Sequence, residues 1–578
     1  MNGAQVVGNE VEFRVWAPAA KQAMVQLESG RTLPMQRDES GTFNVTALVH
    51  AGARYFYRLD EGRAVPDPVS RLLPEGVHGP TEIVNPDLFR WTDQHWRGLD
   101  RDEYIIYELH VGTFTPQGTF DGASERLDYL KALGISVIEI MPVAAFPGTR
   151  NWGYDGVSPY AVQASYGGPD GFKRLVDAAH RAGLAVMLDA VYNHLGNEGN
   201  YLRMFGPYFT GRHHTPWGEA INFDGPGCEG VRRYFIENAL YWVREYHLDG
   251  LRLDAIQTIY DDSPRQSPGA RHIVEEINDE VQQLAAELGR KVCVIAETDE
   301  NDAHMIQPRQ HGSWGLCGVW SDDFHHAVHS VLTSENEGYY QDFGKKQQIV
   351  RALNEGFVFQ GEYFSFWKKE RGTRPEGVPL PGHVICIQNH DQVGNRARGE
   401  RLGHLVARGA QKLAAALLLL AQETPLLFMG EEFAATSPFQ FFTDYGDPEL
   451  QTAVREGRRK EFKHFTWGEV PDPQDPQTFE RSKLRWQDGS TWSEGQRDML
   501  NWYRELIRLR RELVLPGPRT CHAELHDGTI TMQVPAEEPR VMVVAEFPDS
   551  SSARSLPGGW KLIMASEDRG YTVRVFAR

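Results

Sequence analysis

Two short apolar segments of the chain each end in a single carboxylate. Residues 250–255 (GLRLDA) carry Asp254, and residues 294–298 (VIAET) carry Glu297. A carboxylate at the end of a buried strand is costly unless it is solvated, paired or used. Two such acids on successive strands indicate a pair that faces one cleft. Cleavage of a glycosidic bond uses such a pair, because one carboxylate attacks carbon and the other protonates the leaving oxygen.

Other polar and aromatic residues follow further strand-like segments. They are Asp189, Asn193 and His194 after the third segment, Arg252 beside Asp254, Asn389, His390 and Asp391 after the seventh, and Trp152 and Tyr154 in the loop after the second. Each has an ordinary structural alternative: Arg252 and Asp254 share one face of a strand and could form only a buried ion pair. Their joint occurrence at successive strand ends favours a functional site.

Several acids are interpreted differently, as solvated or helix-capping groups outside the catalytic set: Asp299, Asp302, Glu431 and Glu432. A metal site is a further alternative for the histidines and acids. Neither His194 nor His390 has a second histidine at the HxH or HxxxH spacing that is typical of zinc. We therefore expect no metal and no cofactor.

The elements that must position these residues alternate between strand and helix. Strands are predicted at 104–109, 137–141, 184–188, 251–253, 291–295, 317–320, 384–387 and 425–429, and helices at 123–133, 171–182, 231–246, 273–288, 324–332, 402–422 and 499–513. Eight strands separated mostly by helices predict a closed (β/α)8 TIM barrel, whose loops at the carboxyl ends of the strands converge on one mouth. An open doubly wound sheet is the competitor, but no Gly-rich phosphate loop follows the first strand.

The chain is long enough for about three domains. Residues 1–95 alternate apolar and polar side chains in short runs, as at Val11, Phe13 and Val15, which predicts an N-terminal β-sandwich of the carbohydrate-binding type. Residues 96–515 contain the predicted catalytic barrel with its loop insertions. Residues 516–578 return to strand patterns and predict a small C-terminal β domain.

Composition and charge narrow the class of partner. The 578 residues carry a formal net charge of -19, which argues against a nucleic-acid partner and is compatible with a neutral sugar. Five scattered cysteines are expected to be unpaired thiols in a reducing compartment. No secretory signal and no membrane-spanning run are evident, so we expect a cytoplasmic protein. The oligomeric state is not predicted.

The ordered motifs match those of a known family. The series Asp189-x-x-x-Asn193-His194, Gly250-x-Arg252-x-Asp254, Glu297 and Asn389-His390-Asp391 resembles the four signature regions of the α-amylase superfamily, family 13 of the retaining glycoside hydrolases. A sandwich before such a barrel is similar to the subgroup of branching, debranching and trehalose-releasing enzymes. Segments 151–156, 193–196, 387–396 and 441–444 are most similar to the trehalose-releasing members. Gln392 stands where branching members usually carry an acid.

The resemblance implies roles for the three acids. Asp254 would be the nucleophile, held ionised by Arg252. Glu297 would be the general acid and then the general base, which requires a raised pKa. Asp391 would stabilise the positively charged sugar ring. We expect retention of anomeric configuration, with the carboxyl groups of Asp254 and Glu297 about 5–5.5 Å apart.

The resemblance also implies a substrate. The expected substrate-binding residues are Trp152, Tyr154, Asp189, His194, Arg252 and His390, with the histidines on sugar hydroxyls and Tyr154 as a stacking wall. The implied substrate is maltooligosyl trehalose, an α-1,4-glucan whose reducing end is a trehalose unit. The long segment 436–491 after strand eight, with Phe441, Phe442, Asp444, Tyr445 and Trp467, could build the trehalose pocket or form only a surface excursion. A glycogen-branching or α-1,6-debranching enzyme and a non-catalytic glucan-binding protein remain as alternatives.

Overall fold

The centre of the molecule is a closed barrel of eight parallel strands. The computed structural model describes residues 2–267, 269–461, 470–486, 492–551 and 558–578. Barrel strands one to eight are Ile106–Leu109, Val137–Ile140, Ala185–Ala190, Gly250–Leu253, Cys293–Ala296, Gly318–Trp320, His383–Cys386 and Thr424–Phe428. Each is buried on both faces, because helices cover the outside and side chains fill the inside. The predicted barrel is confirmed, including the irregular sixth strand.

Helices surround the barrel and follow most of its strands. The longer ones are Gly168–Ala182, Cys228–Glu245, Ile273–Leu288, Asp322–Thr333, Lys346–Glu355, Arg408–Leu420, Pro448–Glu461 and Glu494–Leu509. The predicted helix 273–288 has the observed bounds and ends at Gly289, whose left-handed backbone (φ 61°) stops the helix. The predicted helix 402–422 is two helices, Leu402–Leu405 and Arg408–Leu420, because Val406 and Ala407 are extended.

Shorter helices and hairpins fill the loops on the mouth side. The short helices are Val111–Phe114, Phe120–Ser124, Leu127–Leu133, Leu202–Phe205, Ser263–Gln266, His390–Gly394 and Pro476–Ser482. The hairpins pair Ala144–Ala145 with Ser158–Val162, Phe209–Thr215 with Gly218–Ile221, and Glu362–Phe364 with Lys369–Arg371.

The N-terminal region is a sandwich of two antiparallel sheets, as predicted. One sheet has the order Gly3–Val7, Glu10–Trp16, Thr42–Ala47, Gln36–Arg37, and the other Thr32–Pro34, Ala23–Leu27, Arg54–Leu59, Ala64–Val65 with Thr81–Glu82 beside Arg54–Leu59. Phe13, Val25 and Tyr57 are fully buried, which follows from the alternation of the sequence. The sandwich is tied to the barrel where the Tyr234 hydroxyl donates to the Pro68 carbonyl at 2.7 Å.

The C-terminal region is one antiparallel sheet. Its strands have the order His522–His526, Thr529–Val534, Val541–Glu546, Tyr571–Ala577, Lys561–Asp568. The Lys346 ammonium group, on a barrel helix, donates to the Gly528 carbonyl at 2.9 Å and so joins this sheet to the barrel. The strand content agrees with the predicted β domain, and the predicted boundaries at 95 and 515 stay predictions.

Two of the five cysteines form a disulfide, Cys293–Cys317, with their Cα atoms 5.4 Å apart. The prediction of unpaired thiols is therefore wrong for this pair and holds for Cys228, Cys386 and Cys521. The two residues lie at the starts of neighbouring parallel strands, and closure of the barrel brings them together, which a spacing of 24 residues does not reveal. The argument for a reducing compartment loses this support. Among the described residues, no helix has the length and apolar character needed to span a membrane.

Candidate active site

The centre of the site is the guanidinium group of Arg252, which is fully buried in barrel strand four. Its Nη1 donates to both carboxylate oxygens of Asp189 at 2.8 Å and to Oδ1 of Asp254 at 2.7 Å. Its Nη2 lies 3.5 Å from Oε2 of Glu297. Burial lowers the pKa of Arg252, but the surrounding anions, Asp189 first among the carboxylates, raise it well above its usual value. One permanent cation therefore links three of the predicted site residues.

Asp254 is held by both of its carboxylate oxygens. Arg252 contacts Oδ1, and the side-chain amide of Asn193 donates to Oδ2 at 2.6 Å and to the Asp254 carbonyl at 2.7 Å. The following residue, Ala255, has a left-handed backbone with φ 41°, which turns the chain sharply out of strand four. Asn193 was noted only as part of a motif, and the structure gives it a direct part in fixing the orientation of Asp254.

Glu297 follows barrel strand five and stands on the other side of the Arg252 guanidinium. The backbone N–H of Ala255 donates to its Oε2 at 2.6 Å. Burial raises the pKa of Glu297 well above its usual value, Arg252 opposes this, and the charges of Asp254 and Asp391 add to the rise. A carboxyl group whose raised pKa favours its neutral form, beside one that is ion-paired, is the arrangement that acid-assisted glycoside cleavage needs.

His390 and Asp391 lie in the first turn of the short helix after strand seven. Nδ1 of His390 lies 2.5 Å from Oε1 of Glu108, and its backbone N–H donates to Oε2 of the same residue at 2.9 Å. Nε2 of His390 lies 3.4 Å from Oδ1 of Asp391. Burial lowers the pKa of His390, but Asp391 and Glu108 raise it to about 9. The imidazole therefore carries both protons at neutral pH.

Tyr154 closes one side of the site. Its hydroxyl donates to Oδ2 of Asp189 at 2.5 Å and lies 2.8 Å from Nε2 of His390, whose N–H it accepts. The tyrosine ring stacks on the His390 imidazole with centroids 5.1 Å apart. Burial raises the pKa of Asp189 to about 6. His390 therefore donates to Glu108 and to Tyr154, and Tyr154 donates to Asp189. The four side chains form one continuous chain of hydrogen bonds.

Two glutamates on the first two barrel strands were missed from the sequence. Glu108 accepts hydrogen bonds from His390, as described above, and Glu139 lies beside Glu108 in the register of the two strands. Glu139 is 1% exposed, and in the described part of the chain its carboxyl oxygens have no hydrogen-bond partner. Burial, and then the charge of Glu108, raises the pKa of Glu139 well above its usual value. A single Glu inside an apolar strand was the only signal in the sequence.

His194 and Trp152 have different surroundings from those of the other predicted sugar contacts. His194 is buried at the mouth, its Nδ1 contacts Oδ1 of Asn193, and its ring stacks on Trp217 at 4.6 Å. Trp217 is 47% exposed and was missed, because one tryptophan in a polar segment carries no periodic signal. Trp152 is buried behind His390, donates its indole N–H to the Gln440 carbonyl at 2.9 Å and stacks on Phe439. Trp152 thus supports His390 from behind.

Of the two alternatives for Glu431 and Glu432, solvated or helix-capping acids, the first is wrong. Both are buried after strand eight: Glu432 accepts hydrogen bonds from the hydroxyls of Tyr107 and Tyr129, and Glu431 accepts one from Tyr503 at 2.8 Å. These tyrosines come from distant parts of the chain, so no local sequence pattern indicates that they contact the two glutamates. The two glutamates fix the end of strand eight and lie outside the group of residues around Arg252.

The segment after strand eight packs over the mouth. Phe442 is fully buried, and Asp444 accepts from the Thr149 backbone at 2.8 Å and from Arg150 at 2.5 Å. From the helix Pro448–Glu461, Arg458 lies 4.7 Å over the ring of Phe441 and donates to the side chain of Asn395 at 2.9 Å. Trp467, also predicted for this segment, lies outside the described residues.

A cavity of about 220 Å³ opens beside Asp391. Its walls come mainly from the elements after strands six and seven, including Asp322, Tyr339, Phe366, Trp367 and Gln392. Glu461 is the residue that the described part of segment 436–491 adds to this lining. The described part of this segment therefore lines this cavity only at its edge, and whether the segment builds the trehalose pocket stays a prediction.

One group could hold a metal ion among the described residues: His213, Asp224 and Asp262. The group lies away from Arg252, on the hairpin after strand three and the loop after strand four. The Arg212 guanidinium lies 3.0 Å from Oδ1 of Asp224 and already neutralises that carboxylate. The donor set also offers only two carboxylates, whereas a calcium ion takes about six to eight oxygen ligands.

Comparison with known proteins agrees with this geometry. Residues 83–207 match the family model of the α-amylase catalytic domain, and residues 2–73 match carbohydrate-binding module 48, the isoamylase N-terminal domain. The malto-oligosyltrehalose trehalohydrolase of Saccharolobus solfataricus is 45% identical over 90% of this chain and 89% of its own length. That of Rhizobium sp. (strain M-11) is 43% identical over 98% of this chain and 96% of its own length.

The chain belongs to the malto-oligosyltrehalose trehalohydrolase family. A crystal structure from Salmonella typhimurium, of a protein assigned to the alpha amylases, matches the whole chain with a TM-score of 0.89. The two proteins are 39% identical, and the match covers 99% of that structure. The family membership and the fold predicted from the sequence are confirmed.

Proposed function

We propose that the protein hydrolyses the α-1,4-glucosidic bond next to the terminal trehalose unit of maltooligosyl trehalose. The products are free trehalose and a shortened maltooligosaccharide, and the anomeric configuration is retained. The observation that carries the proposal is the single buried guanidinium of Arg252 that links Asp254 to Glu297, in a chain whose full-length relatives are named malto-oligosyltrehalose trehalohydrolase.

Asp254 is the nucleophile in this proposal. Its carboxylate is fixed by Arg252 and Asn193, so it cannot rotate away from the substrate. Attack of a carboxylate oxygen on C1 of the glucose unit forms a glycosyl ester and breaks the bond to the leaving trehalose oxygen. Holding the reacting group in one orientation contributes to the rate because no ordering is required at the moment of reaction.

Glu297 supplies and later recovers the proton. Burial and the neighbouring carboxylates favour its neutral form, which suits a general acid that protonates the leaving oxygen. After the trehalose leaves, the Glu297 carboxylate takes a proton from water, and the resulting hydroxide cleaves the ester and frees Asp254. The Ala255 N–H and Arg252 stabilise the carboxylate during this second step.

Asp391, His390, Tyr154 and Asp189 surround the sugar that is attacked. Asp391 is partly exposed towards the mouth, and its carboxylate stabilises the positive charge that develops on the sugar ring. The imidazolium of His390 is fixed by Glu108, which orients its Nε2 proton towards the mouth residues Tyr154 and Asp391. These contacts support the roles that the family resemblance implies.

The leaving unit is expected in the cavity beside Asp391. A general acid must reach the oxygen of the leaving group, so the leaving sugar lies on the side of Glu297. The cavity beside Asp391, which is also lined by Asp299 from the loop that follows Glu297, offers the rings of Tyr339, Phe366 and Trp367 together with acidic and amide groups. Aromatic faces combined with hydrogen-bonding groups suit a polyhydroxylated disaccharide.

The test is a product assay on two substrates of equal length, maltotriosyl trehalose and maltopentaose. The proposal expects rapid release of trehalose from the first and little cleavage of the second. Transfer of chains without a small sugar, or attack only on branched glucans, would instead indicate a branching or debranching enzyme. Asp254→Asn is the matched control, because it removes the nucleophile and keeps the size of the side chain.

A further inference from the structure

Two adjacent aspartates begin the helix Asp322–Thr333, directly after barrel strand six, and they have opposite surroundings. Asp323 is fully buried, and its carboxylate accepts from Asn301 at 2.7 Å, from the Val358 backbone at 2.6 Å and from Arg371 at 2.6 Å. The Asp323 carboxylate is therefore used in hydrogen bonds that connect the neighbouring loops to this helix.

Asp322 is partly exposed and lines the cavity beside Asp391. Within the described part of the chain, no hydrogen bond or ion pair engages its carboxyl group. A carboxyl group with free oxygens on the wall of a substrate cavity is available to a ligand. The neighbouring Asp323 already accepts the hydrogen bonds from the surrounding loops, so Asp322 has no comparable structural role.

The electrostatic setting of Asp322 suits a sugar hydroxyl. Burial raises the pKa of Asp322 to about 7, Arg371 opposes the rise, and the charge of Asp391 adds to it. Near neutral pH the group is present both as an acid, which donates, and as a carboxylate, which accepts. A sugar hydroxyl can do either and so pairs with both forms.

We propose that Asp322 is a substrate-binding residue that hydrogen-bonds a hydroxyl of the leaving trehalose unit. The inference rests on the proposed function, since it places trehalose in the cavity beside Asp391. Its basis is the position of the free Asp322 carboxyl group in that cavity, which Asp391 and Asp299, from the loop that follows Glu297, also line. Asp322 contributes to the affinity for the leaving unit and takes no part in bond breaking.

The experiment compares two substrates that share the glucan part and differ in the leaving group, maltotriosyl trehalose and α-maltotriosyl fluoride. Fluoride has no hydroxyls for Asp322 to bind. We expect Asp322→Ala to lower kcat/KM for maltotriosyl trehalose about 10- to 100-fold, the range for losing one hydrogen bond to a charged or partly charged group. The kcat/KM for the fluoride should stay unchanged. Asp322→Asn keeps a donor and an acceptor in place and should lose less.

Glu337→Ala is the matched control, because Glu337 is an exposed carboxylate of the same region that does not line the cavity. It should leave both substrates unaffected. Equal losses on both substrates in Asp322→Ala would overturn the inference, since Asp322 would then act through the fold, and no loss on either would overturn it as well. A shifted alkaline limb of kcat/KM for maltotriosyl trehalose would also overturn it, because Asp322 would then act through the pKa of Glu297. The proposed function fails separately, if the wild-type protein releases no trehalose from maltotriosyl trehalose.

Discussion

The buried pair of Glu108 and His390 makes a prediction with a defined pH dependence. Glu108, in barrel strand one, binds both Nδ1 and the backbone N–H of His390. Asp391 and Glu108 raise the pKa of His390 to about 9, against the lowering effect of burial. Glu108→Gln keeps the size and one of the two acceptor oxygens but removes the negative charge. We therefore expect the pKa of His390 to fall towards its usual value.

The size of the effect follows from linkage between protonation and folding. A group whose pKa is raised in the folded state stabilises it fully below the unfolded value of 6.5, and this stabilisation is lost as the pH rises through 9. The full contribution of His390 is about 3 kcal/mol below pH 6.5, and it is roughly 0.5 kcal/mol at pH 9. Because Glu108 is one of two anions that cause the shift, Glu108→Gln should remove about 1–2 kcal/mol more at pH 6 than at pH 9. The loss of one accepted hydrogen bond adds a part that does not depend on pH.

The assay is thermal unfolding of wild type and Glu108→Gln at pH 6 and pH 9. For a chain of this size roughly 1 °C of Tm corresponds to 1 kcal/mol, so we expect the loss of Tm to be about 1–2 °C larger at pH 6 than at pH 9. The same substitution in a His390→Gln background is the control, because there the pH dependence should vanish. A loss of equal size at both pH values, or one that persists unchanged in that background, would refute the reasoning.

The remaining predictions concern the acids and the cysteines. Asp254→Asn should lower kcat by about 10⁴-fold while the far-UV circular dichroism and Tm stay close to those of wild type; substantial residual turnover would move the nucleophile elsewhere. Since burial and like charges raise the pKa of Glu297, kcat/KM should fall on the alkaline side only at a pH well above 4.5. Glu297→Gln should lose this alkaline limb of the pH profile together with most activity on maltotriosyl trehalose. Titration of the unfolded protein with a thiol reagent should find three free thiols before reduction and five after it, because Cys293 and Cys317 are joined; five before reduction would exclude the disulfide.

The sequence predicts the barrel and the residues around Arg252 because both follow from the order of residues within short segments of the chain. Strands buried on both faces are continuous apolar runs, and the mouth residues come directly after them, as at Asp254 and Glu297. The parallel barrel then brings these ends together without further information. The conformation of the N-terminal sandwich is equally local, since its strands alternate apolar and polar residues.

The features that were missed depend on contacts between distant segments. Glu108 is one acid in an apolar strand, and only its approach to His390, 282 residues away, gives it a role. Glu431 and Cys293 are similar cases, since their partners Tyr503 and Cys317 lie on other elements. Asp322 and Asp323 have the same residue type and adjacent positions, and only the packing of loops against the helix distinguishes them. Patterns within one segment carry no information about such partners.

The central claim is that Asp254 and Glu297 release trehalose by a retaining mechanism. Proton NMR of maltotriosyl trehalose with wild-type protein tests it directly, because one spectrum follows both the trehalose and the anomeric proton of the new reducing end. We predict that free trehalose accumulates together with maltotriose that is first formed as the α-anomer and then equilibrates. Maltotriose that first appears as the β-anomer, or small sugars without trehalose, would contradict the account.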